Sequence, residues 1–109
     1  MAMAQLCRQD SAPTAILAAN DEMAMGAVSA ARQLKLRVPE DLAIIGFDDI
    51  EVAGMIDPPL STVQQPMQFL GEMAVELLFQ RLRTPGAPWR NEVLPTRLVV
   101  RQSCGCLAN

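Results

Sequence analysis

Apolar positions along the chain fall into two kinds of spacing. Thr14 to Ala19, following Pro13, and Leu42 to Phe47 are short continuous runs. Each is bounded by polar residues, Asn20-Asp21 after the first and Asp48-Asp49 after the second, which predicts two buried strands. Between them Ala24, Ala27, Val28 and Ala31 recur at the interval of one helical face and predict a helix over residues 22–36. Small side chains on that face permit close packing on a sheet. Asp21 is the expected N-cap. Lys35 and Arg37 suit the negative end of the helix dipole, and Pro39 prevents continuation. Strands apolar on both faces and separated by a helix indicate an α/β fold, with a parallel sheet covered on each side and a right-handed crossover.

The remaining chain is less regular, apart from one strong helix. Met3 to Arg8 has room for a short helix, followed by a loop at 9–13, and Ile50 to Ile56 for a helical turn before Pro58-Pro59. Ser61 to Gln65 reads as a short extended segment ended by Pro66. From Met67 to Arg83, Leu70, Met73, Ala74, Leu77 and Leu78 form one stripe, and Pro66 fits the first turn of that helix. Thr84 to Arg90 is a Pro/Gly loop. Glu92 to Gln102 is extended around Leu98, Val99 and Val100.

Composition narrows the function classes. Half of the 109 residues are apolar, which is a globular composition. The apolar runs fall far below the roughly 20 residues needed to cross a bilayer, and no signal-peptide pattern opens the chain. The net charge is −3 with no basic stripe, so these residues are not expected to grip nucleic-acid phosphates. Three cysteines (Cys7, Cys104, Cys106) and no histidine do not make a zinc set and read as thiols kept reduced in the cytoplasm. Asp48-Asp49 is a pair of carboxylates, yet nucleophile elbow, phosphate loop and metal cluster are all missing, so no catalysis and no cofactor are expected.

Five blocks carry a resemblance: PTAILAANDEMAMGA (13–27), RVPEDLAIIGFDD (37–49), PPLSTVQQP (58–66), LGEMAVELL (70–78) and LPTRLVVR (94–101). In order and spacing they resemble the lac repressor/gal repressor (LacI/GalR) family of transcription regulators. The resemblance implies a type I periplasmic-binding-protein-like α/β fold of two subdomains joined by crossovers, with a sugar or related effector in the cleft. Residues 14–64 would be a βαβ core of the C-terminal subdomain, and the helix at 66–83 would pack on the N-terminal subdomain. Most of that subdomain and the helix-turn-helix headpiece lie outside this sequence.

Open parallel sheets bind ligands beyond the carboxyl ends of their strands. Asn20 and Asp48 end the two strands there, with an amide and a carboxylate that suit sugar hydroxyls. By resemblance, Asn20 and Asp48 fall on sugar-contacting positions, Gln65 on a polar crossover contact, and Met67 and Leu70 on apolar cleft positions. The first of these apolar positions is frequently aromatic in the family, so Met67 departs from ring stacking there. Asp49 is expected to hold a turn. The function implied is effector sensing in a cytoplasmic, homodimeric repressor that reaches operator DNA only through the headpiece. A periplasmic sugar receptor shares the fold and the Asn, Asp, Gln set. The 58–66 block and the free cysteines favour the regulator.

Overall fold

The computed structural model describes residues 2–8 and 11–106. Gln9 and Asp10 of the expected first loop lie outside the described residues. The chain divides into two compact units, residues 1–64 with 97–109 and residues 65–96.

The first unit holds α1 (Ala2–Leu6), β1 (Ala15–Leu17), α2 (Asp21–Gln33), β2 (Ala43–Asp48), β3 (Ser61–Gln64) and β4 (Arg97–Val99). The strands form one sheet in the order β1-β2-β3-β4. β1 pairs parallel with β2, Leu17 opposite Ile45, and β2 parallel with β3, Asp48 opposite Gln64. The expected β-α-β unit is therefore present. β4 joins antiparallel, with Arg97 opposite Gln64.

The stripe of α2 behaves as its spacing requires: Ala24, Ala27, Val28 and Ala31 are all buried. They share a core with Met3, Ala18, Leu42, Ile44, Ala53 and Leu60. Methyl-sized side chains on that face let the helix axis come close to β2. At Gly46 the approach is closest, because a Cβ there would overlap the Asp21 carboxylate and stand 3.0 Å from Leu60 Cδ2. α2 stops at Gln33, three residues before the expected end. Lys35 takes a left-handed φ of 60°, and the Leu36 amide donates to the Ala31 carbonyl at 2.9 Å. Just beyond, Asp41 accepts from the Arg37 amide and guanidinium. These hydrogen bonds, more than the charge itself, hold the Asp41 carboxyl at about 2.

Coverage of the sheet differs from expectation. Ile44 and Gly46 are buried, whereas Ala43, Ile45 and Phe47 are only half-buried and Leu17 is 72% exposed. Among the described residues of this unit α2 closes one face, and residues that pair across β1 and β2 on the other face remain partly open. The apolar run could not reveal this, since it looks the same whether one face or both are covered.

A short segment after β4 ties the opposite end of the sheet. Buried Ser103 donates its hydroxyl to the Ile44 carbonyl (2.6 Å) and accepts from the Ser61 amide (2.8 Å). Its carbonyl accepts from the Ile44 amide, and its own amide donates to the Pro59 carbonyl.

The second unit is α3 (Met67–Arg83) and the loop that follows it. Pro66 sits at the N-cap position, one residue before the helix, and its carbonyl accepts from the Leu70 amide at 2.8 Å. No residue of α3 is buried. The guanidinium of Arg81 lies 4.2 Å from the centre of the Trp89 ring and also donates to the Ala87 carbonyl, which pins the Pro/Gly loop back on the helix.

Candidate functional site

Strand register gathers the polar strand ends. Leu17 lies opposite Ile45, so Asn20 and Asp48, each three residues further on, reach the same carboxyl-end edge of the sheet. Gln64 arrives there because it pairs with Asp48, and Arg97 because antiparallel β4 begins where β3 ends. Four neighbouring strands thus contribute an amide, a carboxylate, a second amide and a guanidinium to one rim.

Asn20 does two jobs of capping geometry. Its backbone is extended (φ −152°, ψ 170°), and its Oδ1 accepts from the Met23 amide at 2.8 Å. Asn20, not Asp21, is therefore the N-cap of α2. Asp21 is the first helical residue and turns inward, 1% exposed. It accepts from the Thr62 hydroxyl (2.5 Å) and the Ile50 amide (2.9 Å). A buried carboxylate there faces the positive end of α2, and both oxygens are hydrogen-bonded, which is what makes its burial tolerable. The pair Asn20-Asp21 offers two capping residues, and spacing alone could not say which would turn into the core.

At the end of β2 the backbone leaves the ordinary regions. Asp48 has φ 113° and Asp49 φ 56°. Left-handed backbone outside glycine costs on the order of 1–3 kcal/mol and collects at functional sites. Asp49 is held from three sides. Its Oδ1 accepts from Arg101 Nη2 (2.7 Å), its Oδ2 from Gln64 Nε2 (2.7 Å), and its amide donates to the Thr62 hydroxyl (3.4 Å). Gln64 Oε1 accepts in turn from Arg97 Nη2 at 2.9 Å, and Arg101 Nη1 donates to the Leu60 carbonyl at 2.8 Å. The Arg101–Asp49 pair is largely screened from water, and charge-assisted hydrogen bonds of this kind are the stronger class. The turn role expected of Asp49 holds, and the tight hold on it fixes where its neighbour Asp48 stands.

Of the expected site residues, the structure brings Asn20 and Asp48 to one edge. Gln65, Met67 and Leu70 belong to the second unit: Gln65 follows β3, and its carbonyl accepts from the Met67 amide at 2.9 Å. Met67 opens α3 and Leu70 lies in its first turn, both exposed. Sequence reasoning missed Gln64, Arg97 and Arg101. A signal existed for Arg97 and Arg101 in the alternation of the last extended segment, which puts both on the same face as Val99. Among the described residues no group of three or more acidic, cysteine or histidine side chains is placed to hold a metal ion. No described helix is long and apolar enough to cross a membrane.

An open α/β sheet with polar groups gathered at its carboxyl edge defines a ligand-binding domain of the two-subdomain, periplasmic-binding type. Residues 1–104 match the model of the periplasmic binding protein-like domain. The ribose operon repressor of Haemophilus influenzae is 47% identical over 98 residues, covering 90% of this chain and 30% of that protein. The repressor PurR of Pasteurella multocida is 42% identical over 101 residues, covering 93% and 30%. Two solved structures resemble the fold closely. A LacI family regulator from Enterococcus faecium with bound ribose has a TM-score of 0.79 at 38% identity, covering 93% of this chain and 37% of that one. The complex of the regulator CelR with cellobiose has a TM-score of 0.87 at 36% identity, covering 94% and 31%. The chain belongs to the periplasmic binding protein-like domain family, in its LacI-type branch, and corresponds to the C-terminal part of that domain. It spans 30% of the length of either curated relative.

Proposed function

We propose that these residues form the C-terminal, effector-facing part of a LacI-type transcription repressor that senses a sugar or similar polyhydroxylated molecule. The observation that carries this reading is the rim formed by Asn20, Asp48, Gln64 and Arg97, with left-handed backbone concentrated at its acidic member. Paired acceptors and donors are what vicinal hydroxyls require. Ribose and cellobiose occupy two of the resembling regulators. The relatives are repressors, not enzymes, and nothing at the rim has the nucleophile–base geometry of catalysis.

Asn20 and Asp48 would contact the effector directly, Gln65 at the crossover, and Met67 and Leu70 from the apolar side of the cleft. Residues 14–64 would be the βαβ core of the C-terminal subdomain, and α3 would pack on an N-terminal subdomain supplied by the rest of the regulator. The regulator would act in the cytoplasm as a homodimer and reach operator DNA through a separate helix-turn-helix domain. Calorimetric titration of ribose and cellobiose into the whole regulator, paired with operator binding measured with and without sugar, tests this. Saturable sugar binding that changes operator affinity is the expected result. Absence of any such coupling overturns it.

A further inference from the structure

Cys104-Gly105-Cys106 is not used by the rim, yet its geometry is specific. The segment turns tightly: the Gly105 amide donates to the Gln102 carbonyl at 3.0 Å, and Gly105 takes φ 73°. A Cβ at Gly105 would press on the Pro39 ring at 3.4 Å, so both backbone and space favour glycine. Folding over brings the cysteines together. The Cys106 amide donates to Cys104 Sγ at 3.4 Å, Cys106 Sγ lies 3.8 Å from the Cys104 carbonyl, and the two thiols hydrogen-bond. Cys104 Sγ also touches the Arg101 carbonyl at 3.6 Å. The turn cannot drift, because Ser103 is stitched to β2 and β3 as described.

We infer that Cys104 and Cys106 form a redox-active dithiol, which closes to an internal disulfide by exchange with a low-molecular-weight disulfide. A disulfide needs α-carbons about 4.4–6.8 Å apart. Residues two apart are separated by at most about 7 Å when extended, and by less in a turn. The order of attack follows from the surroundings. Burial pushes the Cys104 thiol up, but hydrogen bonds from the Cys106 thiol, the Ser61 hydroxyl and nearby amides outweigh it and leave Cys104 below its ordinary value. The same contact with Cys104, followed by burial and the charge of Cys104, raises Cys106. The Cys104 thiolate attacks one sulfur of the small disulfide, whose S–S bond breaks and releases one thiolate. Cys106 loses its proton to solvent, attacks Cys104 Sγ and displaces the second thiolate. Two protein thiols are oxidised by two electrons, and the small disulfide is reduced to two thiols that take up the released protons. Both thiols are accessible enough for this, Cys106 being exposed.

The full chain incubated with oxidised glutathione, quenched in acid, alkylated and digested with trypsin tests the inference. Cleavage after Arg101 releases residues 102–109 with both cysteines, and cleavage after Arg8 isolates Cys7. The expected product is a 102–109 peptide lacking two hydrogens and carrying no alkyl group. In Cys106→Ser, Cys104 accumulates as the mixed disulfide. In Cys104→Ser, Cys106 forms its mixed disulfide roughly tenfold more slowly, as a smaller thiolate fraction requires. Full alkylation of both cysteines, glutathione on Cys106 without an internal bridge, or bridge formation equally fast in denaturant overturns the inference.

Discussion

Gly46 passes directly under the Asp21 carboxylate, and no side chain fits between them. Asp21 is held there by the Thr62 hydroxyl and the Ile50 amide, so it cannot swing away without losing both. Gly46→Ala should therefore destabilise the whole protein by about 2–4 kcal/mol, combining overpacking with disturbance of a buried hydrogen-bonded carboxylate. Urea unfolding reads this as a lowered midpoint with an unchanged slope. A midpoint equal to wild type would mean that α2 can lift off β2 at little cost.

That contact also marks where the sequence stopped being legible. The alanine and valine positions of α2 and the runs around Ile16 and Ile44 predicted the β-α-β unit, because periodicity records which face is buried. Asn20 and Asp48 could be placed at the sheet edge for the same reason. Gln64, Arg97 and Arg101 could not, since their meeting with Asp49 depends on pairing across 33 and 52 residues of chain. Whether Asn20 or Asp21 would cap the helix was equally hidden, for either side chain can accept from a free amide. Packing at Gly46 decides it.

Asn20 carries a structural role and a proposed ligand role, and two substitutions separate them. Serine caps a helix about as well as asparagine, whereas alanine loses about 1 kcal/mol. Asn20→Ser should keep wild-type stability and weaken effector binding, while Asn20→Ala should lose both. The two readouts are thermal unfolding without sugar and calorimetric titration with it. Unchanged sugar affinity in Asn20→Ser would leave Asn20 as a cap alone.

Asp48 is treated in the same way through its backbone. Both Asp48→Ala and Asp48→Gly remove the carboxylate, so each should lower effector affinity ten- to a hundredfold, as losing about 1.5–3 kcal/mol of charged hydrogen bonding implies. They differ only in tolerance of φ 113°. Glycine should be the more stable of the pair by about 1 kcal/mol, because alanine keeps the Cβ clash that this conformation imposes. Operator binding without effector should match wild type in both. Wild-type sugar affinity in either variant would remove Asp48 from the contact set.

α3 shows a second stripe that its expected one obscured. Val75, Leu78, Phe79 and Leu82 follow the i, i+3, i+4, i+7 spacing of a single helical face, and each is more than half exposed. Fully burying a large apolar side chain is worth roughly 1.5–3 kcal/mol, so four in a row form a strongly adhesive surface. In the whole regulator the proposed partner of α3 is the N-terminal subdomain. The 109-residue chain by itself should therefore self-associate at micromolar concentration, seen as a concentration-dependent weight-average mass in sedimentation. Leu78→Glu with Leu82→Glu should return it to a monomer, because charges on this face would have to be buried unpaired in any association. Unfolding of the first unit should be unaffected, since neither residue belongs to its core. A wild-type chain that stays monomeric, or a double variant that associates as before, would show that this stripe does not drive association.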